Sequence, residues 1–428
     1  MLSNQAVLDA VNTHEGYAVD LLCELVACPS LSGQEGDVQL LIEKTLSQLG
    51  LQMERVYLHT ETMQDNPLFS PPCDPDNGRF SLIARHLPQN PRGKSVMFNG
   101  HVDVVPTGPA HLWQTPPFSP SVRDGRVYGR GASDMKGGIV SAIVAYKALL
   151  DAGYEPAAPV FFNTVLEEEN TGNGTLSSIL AGANADAVII PEPQNETMLS
   201  AHVGVFWMQI ELTGKPMHAS IASAGVNPID VCMQIRTELK AIEAQWNAAT
   251  CRHPSFAEHA HPINFNLGKI QGGEWTSSLP CSCRMEVRIS MFPGRDVTEA
   301  KTEVEQRVRA VVESYPSLSL EVSYRGFHAP GCELDLESPP MRLLARTHAA
   351  LHGREPQQLV STAVCDARHF ALMLGTPVTC YGPDNDGIHG IDESVSIASM
   401  MRVASVFALF MRDWCGLSQL PRPYILGR

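Results

Sequence analysis

Two histidines and several carboxylates, spread from His101 to His389, each sit in a short polar or glycine-rich segment directly after an apolar run. The stretch Ser95 to Pro106 ends an apolar strand on His101 and, two residues on, Asp103, a spacing that puts both side chains on one face of an extended segment. Asp134 lies in Gly129-Arg130-Gly131-Ala132-Ser133-Asp134-Met135-Lys136, Glu167-Glu168-Glu169 form a run, Glu192 stands between two prolines, and His389 follows Gly387-Ile388. Imidazole nitrogen and carboxylate oxygen are the donors zinc accepts in hydrolytic sites, where one position stays open for water. Two such ions, roughly 3.5–4 Å apart, can hold the nucleophile and polarise a carbonyl together. Such a pair needs one shared carboxylate and about two further ligands for each ion. His101, Asp134, Glu169, Glu192 and His389 supply that set. Attack by hydroxide also needs a proton acceptor, and the leaving amine a donor; Glu168, beside a ligand, can be both. Asp103 suits a supporting role, accepting the free ring N–H of His101 and so fixing its tautomer.

A frame must bring these positions together. With 428 residues, 44% of them hydrophobic and 18% charged, the chain is long enough for two or more domains with real cores. Periodicity predicts helices over 18–26 and 38–49, strands over 80–87 and 95–99, a long helix from about Lys136 to Leu150, and a strand over 159–165. Strands alternating with helices imply a mixed, mostly parallel sheet covered on both faces, with ligands at the carboxyl ends of the strands. His101, Glu168 and Glu169 fall at such ends.

Near Val203 the pattern changes. Strands over 203–213, 263–271, 282–289 and 317–324, with helices over 227–247 and 297–315, follow the β-α-β-β-α-β order of a ferredoxin-like unit. After Pro330 the α/β pattern resumes, with a helix over 340–352, strands near Leu359 and Pro377, and a last helix over 396–413. The expected organisation is a catalytic domain of residues 1–202 and 329–428, interrupted by an inserted α+β domain of residues 203–328.

The net charge of −15 argues against a nucleic-acid partner, and no stretch reaches the roughly 18 apolar residues of a membrane span. Without a signal-like start, and with eleven cysteines in no framework spacing, the chain reads as cytoplasmic with reduced thiols. Ser133 to Lys136 also satisfies the S-x-x-K pattern of serine amidohydrolases, which keeps a Ser133/Lys136 hydrolase as a reading of a different class. Taken singly, His101 reads as a core histidine, the Glu run as a solvated face, Asp134 as an N-cap and Glu192 as part of a turn.

Taken together, His101 to Pro106, Asp124 to Gly138, the Glu triplet, Pro191-Glu192-Pro193 and Gly387 to Glu393 resemble the M20 metallopeptidase family, in the family's order and over nearly the whole chain. Its relatives include acetylornithine deacetylase, succinyl-diaminopimelate desuccinylase, aminoacylase and glutamate carboxypeptidase. The resemblance implies two divalent ions, most often zinc, with cobalt or manganese as substitutes. One would sit on His101 and Glu192, the other on Glu169 and His389, with Asp134 bridging and Glu168 as general acid and base. It also implies a cis peptide after Asp134. His218 matches a histidine that, in dimeric relatives, reaches the neighbouring subunit's site, so a homodimer through the inserted lid domain is expected. Arg288 matches an arginine that contacts substrate. Arg368, in Asp366-Ala367-Arg368, reads equally as a clamp for a substrate carboxylate or as a surface ion pair. The triplet begins with Glu167 where relatives commonly carry Asp, which leaves the base and ligand open to a shift by one residue. The activity implied is deacylation of a small N-acylated amino acid or related amine, with dipeptidase or carboxypeptidase chemistry as the alternative and a non-catalytic binding protein of this fold as the other class.

Overall fold

The computed structural model describes residues 2–420. Its largest sheet has six strands in the spatial order Gln52–Tyr57, Phe80–His86, Val160–Val165, Val96–His101, Val188–Ile190, Val378–Cys380. The last four run parallel, and Phe80–His86 runs antiparallel to both its neighbours. All six residues of Val96–His101 and all three of Val188–Ile190 are buried, so both faces of the sheet are covered. That is why these strands read as continuous apolar runs instead of alternating ones. The helix Gly138–Asp151 is apolar all round (Ile139, Val140, Ile143, Val144, Leu149) and accordingly buried on nearly every side, packed against Ile397–Trp414. Helices Gly36–Gln48 and Asn173–Leu180 pack on Phe80–His86.

A second sheet, antiparallel throughout, begins at Gly204. Its spatial order is Phe265–Gly272, Ser282–Met291, Gly204–Thr213, Ser319–Ser323, which is the ferredoxin-like arrangement expected from the order of elements. Helices Pro228–Trp246 and Val297–Glu313 supply Val231, Ile235, Ile242, Val304 and Val308 to a core separate from that of the large sheet. Along Ser282–Met291 the buried Cys283, Met285 and Val287 alternate with the more exposed Arg284, Glu286 and Arg288, so one face of this sheet is left uncovered. The two connections to the larger unit pass back to back. A Cβ on Gly204 would lie 2.6 Å from the Gly331 nitrogen, and one on Gly331 equally close to the Gly204 nitrogen, so neither position has room for a side chain.

Three elements differ from the sequence reading. The strand near Leu359, Gln358–Ser361, joins not the main sheet but a small one with Met198–His202 and Cys332–Glu333. Its residues are only half-buried, unlike the apolar strands of the main sheet. The helix expected from Lys136 begins at Gly138, because Asp134 and Met135 hold non-helical backbone angles in a turn that contains a cis Asp134-Met135 bond. Gln52–Tyr57, too polar to read as a strand, is recruited at the sheet edge by Phe80–His86. Among the described residues no helix is long and apolar enough to cross a membrane, and no cysteine is in a disulfide.

Candidate metal centre

Three neighbouring parallel strands deliver side chains at their carboxyl ends. Val96–His101 ends on His101, Val160–Val165 leads into the Glu triplet, and Val188–Ile190 is followed by Glu192. Crossing from outside the sheet, the turn before helix Gly138–Asp151 adds Asp134, and the loop before Ser394–Ser396 adds His389. The five residues expected as ligands converge. Asp134 Oδ1 lies 3.1 Å from His101 Nε2 and Asp134 Oδ2 lies 3.2 Å from His389 Nε2. Glu192 Oε1 is 3.7 Å from His101 Nε2, and Glu169 Oε1 is 3.0 Å from His389 Nε2. One carboxylate is thus flanked by two imidazoles, and each imidazole has a further carboxylate of its own.

The His101 ring is oriented from behind. Its Nδ1 is 3.0 Å from the Asp103 carbonyl oxygen, which can only accept, so Nδ1 carries the hydrogen and Nε2 is left to face the carboxylates. Here the structure corrects the sequence reading: the carbonyl of Asp103 takes the N–H, while its carboxylate is 3.7 Å away and accepts instead from the backbone nitrogens of Glu168 and Glu169, each at 3.1 Å. A strand end places the carbonyl beside the ring and turns the side chain toward the next strand's loop. Asp103, fully buried, therefore ties the His101 strand to the Glu turn.

Glu167 is drawn away from the centre. It pairs with the buried Arg79, which also holds Glu35 at 3.2 Å, and it accepts from Thr171 Oγ1 at 2.8 Å. Of the triplet, only Glu168 and Glu169 therefore face the other donors. Glu168 and Glu169 are distinguished by their partners. Donor atoms of His101, Glu168 and Glu192 lie within 4.8 Å of one another, as do those of His101, Asp134 and Glu169, so both glutamates are within reach of a cation. Yet Glu169 meets His389, whereas Glu168 Oε1 is buried with no hydrogen-bond partner. Burial, reinforced by Asp366, Glu192 and Glu169 and opposed by His101, pushes Glu168 well above the usual carboxylate range. Glu169, aided by Asp134, raises His389 to about 11. Burial works against the charge of Asp134, but hydrogen bonds from both imidazoles outweigh it and hold its carboxyl below the usual range. Burial likewise opposes charge on His101, and Glu192, Asp134 and Asp103 overcome it. Two imidazole Nε2 atoms aimed at carboxylates, one ring with its tautomer set, form a donor set that either protons or divalent cations would satisfy.

Other expected residues lie elsewhere. His218 is exposed on the inserted unit, its Nδ1 2.8 Å from Ser220 Oγ, and no described hydrogen bond or ion pair joins it to the centre. Arg288 is half-buried on the uncovered face of the inserted sheet, in a cavity it shares with Trp207, Asn266 and Glu286, and donates to the Thr362 carbonyl at 3.1 Å. Burial lowers its guanidinium to about 10. Arg368 is not a surface residue: it is completely buried, donating to the carbonyls of Cys365 at 2.7 Å and Thr171 at 3.0 Å. It braces the turn after Glu169, where Gly172 leaves it space; a Cβ there would be 2.1 Å from its Nη2. The Ser133/Lys136 reading fails as well, because Lys136 Nζ bonds the carbonyls of Leu25 and Cys28 at 2.9 and 3.1 Å and Ser133 Oγ points to the Asp384 carbonyl. The sequence reading missed Glu393, whose buried carboxylate accepts from the backbone of Asp134, and Arg79 with Glu35 behind the triplet. Glu393 carried one signal, a carboxylate four residues after His389 and directly before a short strand, Ser394–Ser396; Arg79 and Glu35 carried none.

With the geometry established, comparison places it among known proteins. The sequence pattern of peptidase family M20/M25/M40 matches residues 97–413. An N-formyl-4-amino-5-aminomethyl-2-methylpyrimidine deformylase from Halalkalibacterium halodurans is 26% identical over 345 residues, 76% of this chain and 80% of the relative. A succinyl-diaminopimelate desuccinylase from Acidovorax ebreus is 27% identical over 399 residues, 90% of this chain and 94% of the relative. Among solved structures, the di-peptidase Dug1p from Saccharomyces cerevisiae superposes with a TM-score of 0.79 at 18% identity, over 97% of this chain and 99% of that one. Human carnosine dipeptidase 1 gives 0.77 at 17% identity, over 96% and 100%.

Proposed function

The chain belongs to peptidase family M20/M25/M40, and from that premise we propose that it is a metal-dependent amidohydrolase that removes the acyl group from a small N-acylated amino acid or related amine. The observation that carries this reading is the two-sided use of Asp134, one oxygen toward His101 and the other toward His389. It supports two divalent ions, zinc first and cobalt or manganese as substitutes, one held by His101 and Glu192 and the other by Glu169 and His389, with Asp134 shared. Bound there, the ions supply the Lewis acidity that activates water and polarises an amide carbonyl.

Glu168 moves the proton. Its Oε1 has no protein partner and faces the centre's donors, so it accepts a proton from the attacking water and returns it to the amine nitrogen as the C–N bond breaks. Amide and water thereby give a carboxylic acid and an amine, which part as carboxylate and ammonium once the acid proton passes to the amine, with no proton left over. Arg288, in its open cavity, is proposed to hold the carboxylate of the amino acid. His218, exposed and bonded only locally, is proposed to complete the site of a partner subunit in a homodimer formed through residues 203–328. Mixing Glu168→Ala with His218→Ala subunits then restores part of the activity; no recovery in mixed dimers removes that role.

Deacylation is preferred to dipeptide hydrolysis because a deformylase and a desuccinylase are among the relatives found at the sequence level. Incubating the protein with N-acetyl, N-formyl and N-succinyl amino acids beside dipeptides, with zinc, cobalt or manganese added, decides between them. Hydrolysis of acylated amino acids, abolished by a chelator, is the expected result. Turnover of dipeptides alone would overturn the deacylase assignment, and turnover that survives thorough chelation would overturn the metal assignment.

A further inference from the structure

The two halves of the donor set are held very differently. His101 sits on a central strand, 1% exposed, with Nδ1 on a carbonyl, and Glu192 is buried beside it. His389 sits on a loop, its side chain half exposed, and its backbone is left-handed at φ 58°. Asp392, three residues on, is left-handed as well, at φ 55°. Non-glycine residues hold that conformation only where their surroundings over-determine it.

The surroundings here converge on two buried side chains. Glu393 is fully buried, and its Oε1 accepts the backbone N–H of Ser133 at 2.9 Å and of Asp134 at 3.0 Å. Its Oε2 accepts the backbone N–H of Gly131 at 3.2 Å and Nη1 of Arg130 at 2.5 Å. Arg130, 1% exposed, reaches with Nη2 to the carbonyl of Gly390, the residue after His389, at 3.0 Å. The Gly129 N–H donates to the Glu393 carbonyl at 2.9 Å. The segment carrying Asp134 and the loop carrying His389 are thus bonded at both ends of one ion pair, although 255 residues separate the two donors.

We propose that Arg130 and Glu393 are positioning residues, a clasp that sets His389 against Asp134 and thereby creates the ion site of Asp134, Glu169 and His389, while the other ion keeps two ligands of its own, His101 and Glu192, that the strand ends hold without it. The proposal rests on the two-ion reading above. Its chemistry is specific to a carboxylate at 393. Both oxygens accept from two donors each, so the isosteric Glu393→Gln must turn an NH2 group toward either the Ser133 and Asp134 N–H pair or the Arg130 and Gly131 pair. Arg130→Lys keeps the charge but has no fork to reach Glu393 and Gly390 at once.

The test is a zinc titration of the metal-free full chain by calorimetry, repeated with cobalt, whose absorption reports each site's ligand field. The wild type binds two ions, and His389→Ala abolishes the second. Glu393→Gln binds the first ion within about threefold of wild type and the second at least tenfold more weakly. Arg130→Lys does the same, and the double variant is no worse than the poorer single one, because both substitutions break one unit. Two ions bound as tightly in Glu393→Gln as in wild type, or both weakened equally, overturns the clasp alone. So does a lower melting temperature of the metal-free protein with the second affinity unchanged, since Glu393 would then be only a structural ion pair. If Glu393→Gln does not fold, Arg130→Lys decides by the same criteria. A wild type that binds a single ion, indifferent to His389→Ala, overturns the two-ion reading and the clasp with it.

Discussion

Basic side chains pair with carboxylates in both halves of this molecule, but those beside the centre differ from those on the inserted unit. In the larger unit Arg79 joins Glu35 and Glu167, and Arg130 joins Glu393, with every partner buried. In the inserted unit the pairs Arg309 with Glu305, and Lys269 with Glu286, lie on the surface. A surface pair adds about 0.2–1 kcal/mol. A buried one fixes geometry, because removing either partner strands a charge in the interior. The donors of the centre are accordingly bonded to a frame of buried charge, whereas His218 and Arg288, on the inserted unit, are left with few partners. Side chains beside the centre are locked by buried partners, while those of the inserted unit proposed to meet substrate or a second subunit are held by few.

The sharpest way to break this contrast is at Glu168, a buried carboxylate whose Oε1 lacks a hydrogen-bond partner. Glu168→Gln should lower hydrolysis by about 10²–10⁴-fold while metal uptake stays as in wild type. A loss under tenfold, in steady-state assays at saturating metal, would show that Glu168 does not carry the proton. Next comes a matched pair of arginine substitutions. Arg79→Met leaves Glu35 and Glu167 buried without a counter-charge and should cost about 3–5 kcal/mol. Arg309→Met, at the far end of the scale, should cost about 0.2–1 kcal/mol. Urea unfolding of the two metal-free variants reads both numbers. Equal losses would mean that burial of the pairs, the basis of the contrast, has no energetic weight.

What the sequence made legible follows the same division. The ends of the parallel strands announced His101, Glu168, Glu169 and Glu192, because an apolar run that stops on a polar side chain is a local pattern. The order of elements announced the inserted sheet for the same reason. The bracing was silent. Arg79 is 44 residues from Glu35 and 88 from Glu167, and only the closed sheet brings them together. Arg368 read equally as a substrate clamp or as a surface ion pair, yet it, Asp366 and His369 are all buried against the turn at Gly172. The carboxylate of Asp103 was matched to His101 by its two-residue spacing, and spacing alone could not tell that the carbonyl would reach the ring first.

The strand Val378–Cys380 completes the large sheet by pairing with Val188–Ile190. On a ribosome adding about 5–20 residues each second, roughly 10–40 s pass between the emergence of these two strands. During that interval Val188, Ile189 and Ile190 form an open apolar edge, the kind that pairs with other chains. The inserted unit, whose strands all lie within that interval, folds while the edge waits. His389 then arrives with the last part of the sheet, so a nascent chain already carries four of the five donors before it can hold the complete centre. The open edge and the incomplete centre thus last equally long during synthesis, and a chain truncated ahead of Val378 would keep both permanently.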